Sequence, residues 1–79
     1  MSEGELQRRV GAFLRAHRQQ IGLSQEAFAE HVGVHRTYMG SIERGEENLT
    51  LRSVEKLAGI LDADPIAMLT FTPDDCAGS

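Results

Sequence analysis

A compact bundle of five short helices, all-α with no sheet, is the fold class this sequence predicts, and three observations predict it. Apolar residues recur at spacings of three and four along four separate stretches, the stripe that one face of a helix needs. Residues that open helices stand where later stretches begin: Ser24, Thr50 and the pair Asp64-Pro65. Aromatics make up only 5% of the 79 residues and tryptophan is absent, which favours helix over sheet. A chain this short forms one domain and buries roughly 60% of its unfolded surface, enough for a core but little for an enzyme cleft.

The first helix spans residues 5 to 20, with Leu6, Val10, Phe13, Leu14 and partly His17 on one face. Gly22 interrupts it. Ser24 then opens a second helix from Gln25 to about Val32, with Leu23 and Phe28 at the staple spacing that sets the entry angle and Phe28, Ala29 and Val32 turned inward. Gly33 follows at once, as a sharp turn requires. A third helix starts two residues later, with Val34 and Met39 repeating the staple around His35 and Tyr38, Met39 and Ile42 forming its apolar stripe. Arg36, Thr37, Gly40, Ser41 and Arg44 fall on its other side. After a polar loop over residues 44 to 48, Thr50 caps a fourth helix whose buried face is expected to be Leu51, Val54, Leu57, Ala58 and Leu61. Asp64 caps a short fifth helix that runs from Pro65 to about Leu69. The domain is therefore expected over residues 1–71, with residues 72–79 as a loosely held acidic tail.

Charge excludes less than its total suggests. The net value of −4 opposes a polyanionic partner, but the eight bases and eight of the twelve acids lie within residues 1 to 61 and balance there. The surplus is Asp62, Asp64, Asp74 and Asp75, so the rest of the domain is free to present a local basic face, and local potential governs docking. The lone Cys76 has no basic neighbours to make a reactive thiolate, and its solitude fits a reducing compartment. No apolar run reaches the roughly 20 residues of a membrane span, and the acidic start at Glu3 and Glu5 is unlike a secretory signal, so a cytoplasmic protein is expected. His31 and His35 are four apart, but Gly33 places a turn between them and no third ligand is near in sequence. No metal, no cofactor, no small-molecule ligand and no enzymatic activity are expected.

Two short helices joined at Gly33, the second polar on its outer side, are the geometry by which a recognition helix enters a DNA major groove. The residues sharpen this. From Leu23 to Gly45 the string LSQEAFAEHVGVHRTYMGSIERG resembles the helix-turn-helix of the Xre/Cro family of bacterial and phage regulators, whose fold is of the lambda-repressor-like type. The likeness extends from Val10 to about Leu69. Within that family, His35-Arg36-Thr37-Tyr38, Ser41-Ile42-Glu43-Arg44 and Asn48-Leu49-Thr50 are most similar to the controller proteins of restriction-modification systems, small homodimeric regulators without a ligand domain. The resemblance implies a transcription factor that binds double-stranded DNA at a palindromic operator.

Position and resemblance together assign roles. Gln25 corresponds to the family glutamine that contacts a phosphate and braces the recognition helix; a solvated helix-start residue is the plainer alternative. Arg36 can make two bonds to guanine O6 and N7, or else contact phosphate alone. Thr37 and Ser41 can meet base edges, whereas Tyr38 either reaches the DNA backbone or packs in the core. His35 stands where the family usually has Ser, Thr or Asp, which leaves open whether it caps the helix or faces a phosphate. Arg44, Asn48 and Arg52 can hold phosphates, opposed by Glu46 and Glu47, or else belong to a solvated loop. Arg18 and Glu43 match a pair that forms a salt bridge in several phage repressors of the family.

Ile60, Ile66, Met68, Leu69 and Phe71 are more apolar groups than a short final helix easily buries, and a two-fold contact is the commonest cover for such a patch. Closure of the monomer core by the same residues is the alternative. Two other functions compete: an antitoxin or phage-type repressor with a protein partner, and a protein-interaction adaptor that keeps the fold without binding DNA.

Overall fold

The computed structural model describes residues 4–72, and among these every regular element is a helix. In order they are α1 (Glu5–Gln20), α2 (Gln25–Val32), α3 (Arg36–Glu43), α4 (Leu51–Leu61) and α5 (Pro65–Leu69). This is the predicted all-α class. Residues 73–79, on which most of the expected tail and Cys76 fall, lie outside the described residues.

Each start has the chemistry its residues imply. The Ser24 hydroxyl accepts from the Ala27 amide at 3.1 Å, Thr50 Oγ1 from the Ser53 amide at 3.0 Å, and Asp64 Oδ1 from the Ile66 amide at 3.0 Å. Each satisfies one of the amides that a helix leaves unpaired in its first turn. The ends of α1 to α4 share one device. The amides of Leu23, Val34, Glu46 and Ala63 reach back five residues to the carbonyls of Arg18, Ala29, Ser41 and Ala58, at 2.8 to 3.1 Å. A hook of this kind needs a left-handed residue just before the donating amide. Gly33, at φ 94°, supplies it between α2 and α3, and Asp62 supplies it after α4 at φ 55° without being glycine. A short polar side chain tolerates that conformation better than a branched one.

Phe28, Leu14, Met39, Ile42, Met68 and Val10 are fully buried, so the core joins α1, α2, α3 and α5, and Val54, Leu57, Ala58 and Leu61 close it from α4. His17 stacks on Phe13 with ring centres 6.3 Å apart, and Phe71 meets Phe13 edge-on at 5.7 Å. Arg9 fastens the chain after α5 to α1: its Nη1 donates to the Phe71 carbonyl at 2.9 Å while Nη2 bonds Glu5 at 2.7 Å.

Two expectations are corrected. Leu51 is not part of the buried face of α4, because it is 71% exposed. It occupies the first position of the helix, one turn short of the packed stripe, and borders a surface cleft with Leu6, Leu49 and Leu69. Leu6 keeps to the expected apolar face of α1 and forms the rim of the same cleft. Met68 belongs to the monomer core, being 0% exposed, and is unavailable to a second chain. Leu69 packs partly against the same core and Phe71 leans on Phe13, which leaves Ile66, 61% exposed, and Ile60 as the most open apolar residues of the expected patch.

Candidate nucleic-acid interface

The outward side of α3 gathers Arg36, Thr37 and Ser41, with Arg44 just past its end, while Gly40 is buried where α2 lays Gln25 across the helix. The helix is anchored from beneath by Met39 and Ile42 in the core. Below its C-terminal end, Arg18 of α1 grips Glu43 with two guanidinium nitrogens, Nε to Oε2 at 2.9 Å and Nη2 to Oε1 at 3.2 Å. The remaining Arg18 nitrogen, Nη1, donates to the Leu23 carbonyl at 3.1 Å in the turn before α2. Gln25 completes the network by donating Nε2 to Glu43 Oε1 at 3.1 Å. One carboxylate thus ties α1, α2 and α3 together. The Glu43 side chain is only 4% exposed, so its charge is spent inside the domain and not displayed to a phosphate backbone.

Gln25 crosses α3 at Gly40, where a β-carbon would stand 3.2 Å from Gln25 Oε1 and 3.2 Å from Arg44 Nη1. Gln25, Arg44, Arg18 and Glu43 share a shallow cleft with Arg15 of α1. Arg15 was missed in reading the sequence. The signal was there, since it precedes Arg18 by three residues and so shares a face of α1.

The N-terminal end of α3 carries the other group. His35 caps the helix: its Nδ1 accepts from the Thr37 amide at 3.1 Å. An imidazole therefore takes the place of the usual hydroxyl or carboxylate, which answers whether this residue caps. His35→Ala is expected to lower stability by about 1 kcal/mol, with His35→Ser restoring most of it. Equal urea midpoints for wild type and His35→Ala would show that the cap contributes nothing. Arg36 projects beside it, 66% exposed, with Nη1 3.3 Å from Glu26 Oε2 on α2. Thr37 is exposed and Ser41 half-buried. Tyr38 is more than a third exposed, on an apolar groove formed with Val34, Ile42 and Leu49, so its ring lies against the domain without being core.

The flanking residues separate from this group. Arg44 Nε is 3.1 Å from Glu46 Oε2, and Asn48 Oδ1 accepts from Gln7 Nε2 of α1 at 3.1 Å. Arg52 stands exposed on the first turn of α4. Two arginines of the face, Arg36 and Arg44, thus each have a carboxylate beside them. The pairing of Arg36 with Glu26 was not foreseen, because it spans ten residues across a turn.

A short α2 crossed by an outward-facing α3, with cations and hydroxyls along the exposed side, defines a helix-turn-helix module. The family model described as a helix-turn-helix domain matches residues 9–69, and the chain belongs to this family. Within it the chain lies close to the restriction-modification controller proteins. It is 46% identical over 57 residues to the control protein C.SmaI of Serratia marcescens, covering 72% of this chain and 68% of that one. To the control protein C.BamHI of Bacillus amyloliquefaciens it is 42% identical over 50 residues, covering 63% and 62%. The crystal structure of the controller protein C.AhdI from Aeromonas hydrophila superposes with a TM-score of 0.69 at 37% identity, covering 86% of this chain and 99% of that one. The chain is a DNA-binding transcriptional regulator of the helix-turn-helix type. No helix among the described residues is long and apolar enough to cross a membrane.

Proposed function

We propose that the protein is a homodimeric, sequence-specific regulator that binds a palindromic operator near its own gene, in the manner of a restriction-modification controller. The observation that carries this reading is the exposed, polar side of α3, held in place by the Arg18–Glu43–Gln25 network. Arg36 reads a guanine through two of its nitrogens, and Thr37 and Ser41 meet neighbouring base edges. Gln25, Arg44 and Arg15 hold phosphates on one side, with Asn48 and Arg52 contributing from the loop and α4. Two copies meet through the surface around Ile60 and Ile66, which places their recognition helices in successive major grooves.

Selection of bound sequences from a randomised duplex library tests this. The expected product is an inverted repeat with half-sites about one helical turn apart. Arg36→Ala is expected to cost about 1–3 kcal/mol on the selected duplex and little on a shuffled one. Equal losses on both would assign Arg36 to phosphates. Recovery of a single half-site would argue for a monomer, and no binding to any duplex at low salt would leave the protein-interaction reading.

A further inference from the structure

The carboxylate beside Arg36 is in an unexpected place for a DNA-binding face. In a helix-turn-helix complex the first helix of the pair crosses the sugar-phosphate backbone. Here that helix is α2, and its Glu26 and Glu30 border one shallow cleft with His35 and Arg36. Glu26 repels phosphate, yet it sits at Nη1 of the arginine assigned to base reading, with both side chains exposed. Stability does not explain the pair, since exposed ion pairs contribute little to folding.

The geometry of a guanidinium suggests a different use. It carries five N–H donors in a fixed fork, and Glu26 engages only Nη1. The remaining donors can still meet guanine O6 and N7, so base contact and the Glu26 contact are compatible. A phosphate met by those same donors would instead lie beside the Glu26 carboxylate and be repelled by it, whereas a base edge carries no net charge. We propose that Glu26 is a specificity-determining residue: it penalises phosphate docking by Arg36, lowers affinity for random DNA, and leaves affinity for the operator nearly unchanged. This inference rests on the base-reading role of Arg36 proposed above.

The test compares wild type and Glu26→Gln on two duplexes of equal length, the one selected by the wild type from the randomised library and a shuffled version of it, at several salt concentrations. Glu26→Gln is expected to bind the shuffled duplex about threefold to fivefold more tightly, the most that an exposed ion pair supports, and the selected duplex within twofold of wild type. The salt slope on the shuffled duplex is expected to steepen by about one phosphate contact. In an Arg36→Ala background, the same substitution should have no differential effect. Equal tightening on both duplexes would overturn the proposal, because Glu26 would then act only as a general negative charge. Persistence of the differential in the Arg36→Ala background would overturn it too. So would weaker binding to the selected duplex with the shuffled one unchanged, which would make Glu26 a base contact itself. Failure of wild type to bind any duplex would instead remove the base-reading role and this inference with it, an outcome distinct from the others.

Discussion

Arg18→Met is expected to lower the stability of the domain by about 3 kcal/mol, more than any other single change considered, because it leaves the Glu43 carboxylate buried without its cation. Glu43 would retain only the Gln25 amide, and the Leu23 carbonyl would lose the donor it has in Arg18. The surviving Gln25 bond holds the cost at the lower end of the range for a broken buried pair. In a domain of this size the loss corresponds to about 15 °C in Tm, measured at fixed protein concentration because a chain that dimerises as proposed would unfold at a concentration-dependent temperature. The double variant Arg18→Met/Glu43→Leu should recover more than half of the loss, since replacing both partners by apolar groups removes the uncompensated charge. Equal losses in single and double variants would show that Arg18 acts by packing its stem and not by pairing. A recovered double variant that binds DNA poorly would add that the bridge orients α3 more than it stabilises the fold.

Gly11→Ala should be the second large effect, although the same substitution normally stabilises a helix interior by about 1 kcal/mol. Here a β-carbon would stand 2.2 Å from the Ile42 carbonyl oxygen and 2.8 Å from that of Glu43. Both obstacles are backbone at the end of α3 and cannot rotate away. Either α1 and α3 separate or α3 loses its last turn, and a net cost of about 2 kcal/mol is expected after the propensity gain. Gly59→Ala is the matched control. Gly59 lies inside α4 with open space where its β-carbon would be, so its substitution should raise stability by about 1 kcal/mol. If both variants shift the urea midpoint in the same direction, crowding between α1 and α3 is not the reason for Gly11. Crowding would also displace Glu43, so Gly11→Ala should weaken the selected duplex more than the shuffled one.

These two residues show where the sequence was readable and where it was not. Arg18 and Glu43 were paired in advance only through the likeness to phage repressors, since nothing local relates residues 25 apart. Gly11 lies inside a strong helical stripe, where a glycine costs about 1 kcal/mol and so points to a close neighbour. Leu51 and Met68 were misplaced for a shared reason: periodicity tells which face a residue occupies, not how far the facing helix extends over it. Leu51 is on the right face but beyond the cover, whereas Met68 on a five-residue helix is reached from the other elements and fully enclosed.

What the sequence by itself determined is local. Helix boundaries followed from Ser24, Gly33, Thr50 and Asp64-Pro65, because caps and hooks act within five residues and their chemistry is carried by single side chains. The polar outer side of α3 was legible in the same way, and the class of protein through the family likeness from Leu23 to Gly45. Only the tertiary structure decided which charges meet. Glu43 turned inward to join three helices, Glu26 turned outward to flank Arg36, and Asn48 turned back to Gln7. Such pairings depend on crossing angles and helix separations set by the volumes of the buried side chains, and no spacing along the chain encodes those distances directly.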